Sequence, residues 1–140
     1  MISDKRIDKG KAFDWGNTSE EYAKYRNIYP SILYDRLREL GVGRDGSSWL
    51  DIGTGTGILP QNLYNEKAEI TGVDISEKQI LLARESAKKS ERNINYLVSY
   101  AEATGLPDNS FDTITAAQCF WYFDRDKIKA EICRGRYAYR

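Results

Sequence analysis

A chain of 140 residues has the length of one domain, and folding it would bury roughly 70% of its unfolded surface, enough for a real core. Its 21 Lys and Arg balance 21 Asp and Glu, so nothing in the charge points to a nucleic-acid or membrane-surface partner, and the absence of histidine leaves any proton chemistry to Asp, Glu, Tyr, Lys or water. Two separated thiols, Cys119 and Cys133, form no C-x-x-C metal or redox motif, no apolar run reaches the length of a membrane span, and the polar first 18 residues read as no secretory leader, so a cytoplasmic protein is expected.

The first thirty residues are polar with interspersed aromatics, and Pro30 then opens a predicted helix over 31–40 with Ile32, Leu33, Leu37 and Leu40 near helical spacing, ended by Gly41 and Gly43. "WLDI" reads as a first strand and runs straight into a glycine stretch, after which "ILPQNLYNEK" predicts a helix with its proline in the tolerant first turn. "AEITGVD" is the second strand. In the helix that follows, Ser76 and Gln79 have capping-box spacing and Ile80, Ala83 and Ala87 mark one face. "NINYLVS" is a third strand, "GLPDNS" a turn, "FDTITAAQ" a fourth strand and "RDKIKAEICR" a last helix. Arg134, Arg136 and Arg140 make the tail basic, and three arginines on a tail read as solvated. Strands alternating with helices imply βαβ units and a parallel, doubly covered sheet.

In "LDIGTGTGIL" three glycines, Gly53, Gly55 and Gly57, alternate with Thr54 and Thr56 between the first strand and the first core helix. Ligands of open α/β sheets lie outside the carboxyl ends of the strands, and glycine there allows positive φ and close approach to bare backbone. A dinucleotide G-x-G-x-x-G would require glycine where Ile58 stands, and no G-K-[ST] follows for a phosphate loop. What remains is an acid, Asp51, ahead of G-x-G-x-G and a second acid, Asp74, closing the second strand, where it can accept hydrogen bonds from both hydroxyls of a ribose.

With these residues the sequence resembles the Rossmann-like S-adenosylmethionine-dependent methyltransferases. The stretch "SYAEATGLPDNSFDTITAAQCFWYFDRDKIKAEICR" is similar to the ubiquinone- and sterol-biosynthesis-like small-molecule members. The resemblance implies S-adenosylmethionine as cofactor, S-adenosylhomocysteine as product and a small-molecule acceptor. By position it implies cofactor contacts at Asp51, Gly53, Thr54, Gly55, Gly57, Asp74, Ile75 on an adenine face, Ala101, Glu102 and Gln118, with Tyr25 and Arg26 of "EEYAKYRNIYP" at the methionine end. Tyr100 stands where relatives have Asp, so Glu102 or backbone takes over the bond to the adenine amino group. Tyr22, Trp121 and Tyr122 are candidates for an acceptor pocket. No catalytic residue and no metal is implied, because a sulfonium methyl is already activated and positioning supplies most of the acceleration.

The expected organisation is one domain, with cap helices in 1–40, a core over 41–134 and an atypical tail at 135–140. Relatives continue after E-x-x-R into further strands where this sequence ends in "GRYAYR", so the expected fold is an α/β/α Rossmann-like open sheet of about four strands, resembling a truncation or frameshift. The fourth strand would then carry an unpaired edge, which predicts a homo-oligomer through that edge or its covering helix. Two alternatives to the methyltransferase stay open: a cofactor-binding or interaction module without catalysis, and a nicotinamide-nucleotide oxidoreductase.

Overall fold

The computed structural model describes residues 29–117 and 122–136. The elements run α1 (Ser31–Glu39), β1 (Ser48–Ile52), α2 (Ile58–Asn62), β2 (Glu69–Asp74), α3 (Glu77–Lys89), β3 (Asn95–Val98), β4 (Thr113–Thr115) and α4 (Arg125–Gly135). The four strands form one parallel sheet in the order β3-β2-β1-β4. This is the expected Rossmann-like α/β/α arrangement.

Alternation along the strands divides the core. Trp49, Ile70 and Tyr96 face one side, where Trp49 and Ile70 pack with Leu59, Leu63, Tyr34 and Leu37, and Tyr96 packs with Ile80, Ala83 and Ala87 of α3. Leu50, Ile52, Val73 and Leu97 face the other side, against Ile128 and Ile132 of α4 and against Ala101, Leu106 and Phe111 of the β3–β4 connection. Helix α3 starts as its spacing predicts, with the Ser76 hydroxyl accepting from Gln79 N.

Three elements depart from the sequence pattern. Helix α1 buries none of its residues, and Ile32 and Leu40, expected on its packed face, are 68% and 79% exposed. Helix α2 stops five residues short of the predicted end because Asn65 builds a side-chain turn: its Oδ1 accepts from Lys67 N, and its Nδ2 donates to Gly43 O and Asp45 Oδ1. Strand β4 is three residues long: ahead of it Phe111 bridges Arg136 and fills the α4-side core, and after it Ala116 and Ala117 are outside the strand.

Gly72 in the middle of β2 explains how the sheet can carry the large ring of Tyr96 beside it. A Cβ there would lie 2.8 Å from Tyr96 Cδ1 and 2.9 Å from Thr54 Oγ1. The Gly72→Ala variant is expected to lose about 1–3 kcal/mol through overpacking, read as a lower urea midpoint with an unchanged slope.

Candidate functional site

Strand β1 is flanked by β2 on one side and β4 on the other, so the chain reverses its direction of winding at the β1–β4 boundary, the place where open α/β sheets form a crevice. The loop leaving β1 there has Gly53, Gly55 and Gly57 at φ of 65°, 59° and 79°, a left-handed region that a Cβ disfavours. Its backbone is tied down on one side by Thr54 N donating to Val73 O and by Gly57 N donating to Thr54 O.

Asp74 supplies the third tie. Its Oδ2 accepts from Gly55 N at 2.9 Å and its Oδ1 from Ser76 N at 2.9 Å, so one carboxylate joins the glycine loop to the start of α3. Burial pushes its pKa up, opposed by the backbone N–H groups of Ser76, Gly55 and Ile75. Each oxygen still has acceptor capacity for a further donor. Beside it Ile75 and Val98 are each 47% exposed and Tyr100 63%, an apolar flank at the carboxyl ends of β2 and β3.

Asp51 lies deeper. It is 2% exposed, accepts from Thr115 Oγ1 at 2.6 Å, and burial raises its pKa to about 6, with the Thr115 hydroxyl pulling it partway back. A narrow crevice passes over it between Tyr29, Gly53, Thr56 and Ala117. Thr56 Oγ1 is buried with no hydrogen-bond partner among the described residues, a donor available at the wall of that crevice.

Tyr96 is a residue of the candidate site that the sequence pattern missed. Its ring runs under the loop across Gly72, its hydroxyl reaches Gly57 O at 3.4 Å, and a Cβ on Gly57 would overlap that hydroxyl. Burial pushes its phenol pKa up, keeping it a neutral donor. The signal available in the sequence was the glycine at 72 inside an otherwise β-branched and apolar strand.

The structure brings Asp51, Gly53, Thr54, Gly55, Gly57, Asp74 and Ile75 together at the carboxyl edge of the sheet. Two of the expected residues have further neighbours in the fold. The side chain of Ala101 is buried in the α4-side core, so only its backbone can meet a ligand. Glu102 Oε1 accepts from Asp124 N at the start of α4, so this carboxylate is engaged at a helix N-terminus. Tyr122 is 38% exposed just ahead of α4. Tyr22, Tyr25, Arg26, Gln118 and Trp121 lie outside the described residues. Among the described residues no cluster of His, Cys, Asp and Glu could hold a metal ion.

A family model described as methyltransferase domain matches residues 50–135, which takes in the glycine loop, both acids and α4. The chain belongs to the methyltransferase domain family. Among its relatives, the ubiquinone biosynthesis O-methyltransferase of Coxiella burnetii (strain RSA 331 / Henzerling II) is 32% identical over 124 residues, covering 84% of this chain and 52% of that protein. The ubiquinone biosynthesis O-methyltransferase of Cronobacter sakazakii is 26% identical over 120 residues, 85% of this chain and 49% of the relative. The chain thus spans about half the length of the curated relatives it matches. Of solved structures in the same fold, a SAM-dependent methyltransferase from Aquifex aeolicus superposes with a TM-score of 0.73 at 25% identity, over 90% of this chain and 69% of that one. Phosphoethanolamine N-methyltransferase 2 of Haemonchus contortus, in complex with phosphomonomethylethanolamine and S-adenosylhomocysteine, superposes with a TM-score of 0.66 at 29% identity, over 72% and 24%.

Asp51 gives this methyltransferase domain a pH signature. Its folded pKa of about 6 exceeds its ordinary value of 3.8, so the folded state holds the extra proton between those values, and stability is lost as pH rises from 3.8 through 6 and then levels off. Asp51→Asn is therefore expected to raise the thermal midpoint of the ligand-free chain at pH 8 by about 4 °C or more, with the gain shrinking as pH falls below 6. A gain that is equal at pH 8 and pH 5 contradicts this.

Proposed function

We propose that the chain binds S-adenosylmethionine at the carboxyl edge of β1 and β2 and serves as the cofactor-holding part of a methyltransferase for a small-molecule acceptor. The observation that carries the reading is the Asp74 carboxylate, held by Gly55 N and Ser76 N with an acceptor position left on each oxygen, directly beside three positive-φ glycines. A vicinal diol matches that pair of acceptors.

Among the described residues, Asp74 and the glycine loop suit the nucleoside end of such a cofactor. Asp74 takes the ribose hydroxyls, and Ile75 with the exposed apolar flank lies against the base, whose edge meets the Ala101 and Glu102 backbone. The bare backbone of Gly53, Thr54, Gly55 and Gly57 forms the floor beneath the sugar and sulfur. Asp51, buried and unfavourably ionised, lines the crevice where an ammonium group would sit, and a cation there returns its pKa towards the ordinary range. Tyr25, Arg26 and Gln118 belong to the same methionine end, and Tyr22, Trp121 and Tyr122 to the acceptor side, by position in the sequence. When bound, S-adenosylmethionine supplies a methyl group already activated by its sulfonium, so the chain's task is to hold the acceptor in line and exclude water.

The acceptor class is supported by the balanced charge and by the names of the relatives. A cytoplasmic setting is supported by the separated thiols; among the described residues no helix is long and apolar enough to cross a membrane. Homo-oligomerisation through β4 or its covering helix is supported by the place of β4 at the end of the sheet order, paired with β1 on one side and, among the described residues, with no strand on the other beyond the Phe111–Arg136 bridge ahead of it. A monomer at micromolar concentration in light scattering overturns that part.

Calorimetric titration with S-adenosylmethionine and S-adenosylhomocysteine tests the reading. One saturable site per chain is expected, with Asp74→Ala weakening both ligands about tenfold to a hundredfold, as loss of charge-assisted hydrogen bonds predicts. Unchanged affinity in a folded Asp74→Ala chain overturns the assignment, and a wild-type chain that binds both ligands but methylates no acceptor is a binding module.

A further inference from the structure

The connection from β3 to β4 leaves the sheet at Asp74, where Val98 pairs with Asp74 and Ser99 N donates to Asp74 O. It then crosses the α4 side of the sheet, and α4 grips it at both ends. At the start of α4, Glu102 Oε1 accepts from Asp124 N at 3.2 Å. Nearly two turns further on, Glu131 Oε1 accepts from Thr104 N at 3.1 Å and from Thr104 Oγ1 at 2.6 Å, and Thr104 Oγ1 in turn accepts from Leu106 N at 3.2 Å. Arg134 closes the arrangement. Its guanidinium donates to Leu106 O and Asp108 Oδ1, both at 2.5 Å, to Glu131 Oε2 at 3.1 Å, and also pairs with Glu131 Oε1.

This is unlike an exposed ion pair, which contributes little. The Glu131 side chain is 10% exposed, and its hydrogen bonds to Arg134 and Thr104 hold its pKa down at about 2. The guanidinium uses its fork on a carboxylate and a backbone carbonyl at once, which a lysine ammonium cannot reproduce. Two α4 side chains three residues apart thus fix the path of 104–108, while Glu102 fixes the path just before it.

We propose that Glu131 and Arg134 are positioning residues for the nucleoside end of the site: by clamping Thr104, Leu106 and Asp108 to α4, they set where the backbone of 100–103 lies beside Asp74. The inference rests on the cofactor reading above and extends it to two residues that touch no ligand. Their effect is confined to the nucleoside half, because the glycine loop is held separately by Tyr96, Val73 and Asp74.

The test compares wild type with Glu131→Gln, Thr104→Val and Thr104→Ser in the full chain, titrating S-adenosylhomocysteine and adenosine and following amide exchange. Glu131→Gln and Thr104→Val are expected to weaken both ligands by the same factor, about tenfold, and to speed exchange at 104 and 106 with β1 and β2 unchanged. Thr104→Ser keeps the hydroxyl and restores wild-type affinity. Faster exchange with unaltered affinity for both ligands makes the clamp purely structural and overturns the proposal. So does a loss for S-adenosylhomocysteine without a matching loss for adenosine. If Glu131→Gln does not fold, the Thr104 pair decides alone. A folded wild type that binds neither ligand overturns the cofactor reading and this proposal with it, an outcome distinct from wild-type binding that the variants leave intact.

Discussion

The Tyr96 ring packed through the plane of two glycines is the constraint on which the site depends. It occupies space that any side chain at Gly72 or Gly57 would need, and it supports the glycine loop from beneath while Asp74 holds it from the side. A loop with three left-handed residues has little intrinsic preference for one shape, since glycine loses more backbone entropy on folding than other residues. Its definition comes from outside: a rigid aromatic below, a carboxylate beside it and β2 backbone behind. Arg84 of α3 donates to Tyr96 O through both Nε and Nη2, so the strand that carries the ring is itself fixed.

Burial raises the pKa of both acids of the site, and they differ in what opposes it. Asp74 sits among backbone N–H donors that favour its charge, and it is ready to accept hydroxyl donors with little rearrangement. Asp51 lies buried at the floor of the crevice, with a hydrogen bond from Thr115 that only partly offsets its burial. One is a preformed acceptor, the other a carboxylate whose ionisation a cationic ligand would favour, and both are set by their depth relative to the strand ends.

The order of strands and helices was legible because each element carries its own periodicity, from the Ile80, Ala83 and Ala87 face to the Ser76 cap. The acids and glycines were legible because their spacing along the chain is the spacing of the site. What stayed hidden depends on contacts distant in sequence. Asn65 ends α2 by reaching back to Gly43 and Asp45; Tyr96 reads as an ordinary strand residue until Gly57, 39 positions away, is folded over it. Arg134, which reads as one of three tail arginines in solvent, lies in the clamp on the β3–β4 connection, since its partners sit 26 and 28 positions earlier. Alternation predicted a longer β4, yet it could not show that Phe111 would turn into the core.

The sheet order also governs how the chain can fold as it is made. Strand β1 lies between β2 and β4, and Ser48 N finds Asp112 Oδ2 across 64 residues. Trp49 Nε1 likewise waits for Thr115 Oγ1, 66 positions on. At ribosomal rates of about 5–20 residues per second, several seconds separate the emergence of the first strand from that of its second neighbour. During that interval β1 has one open edge and an indole without its acceptor, so the long-range pairing with β4 comes last and local contacts cannot hasten it. A nascent chain of this order is most exposed to mispairing and to chaperone capture at the edge of β1 that awaits β4.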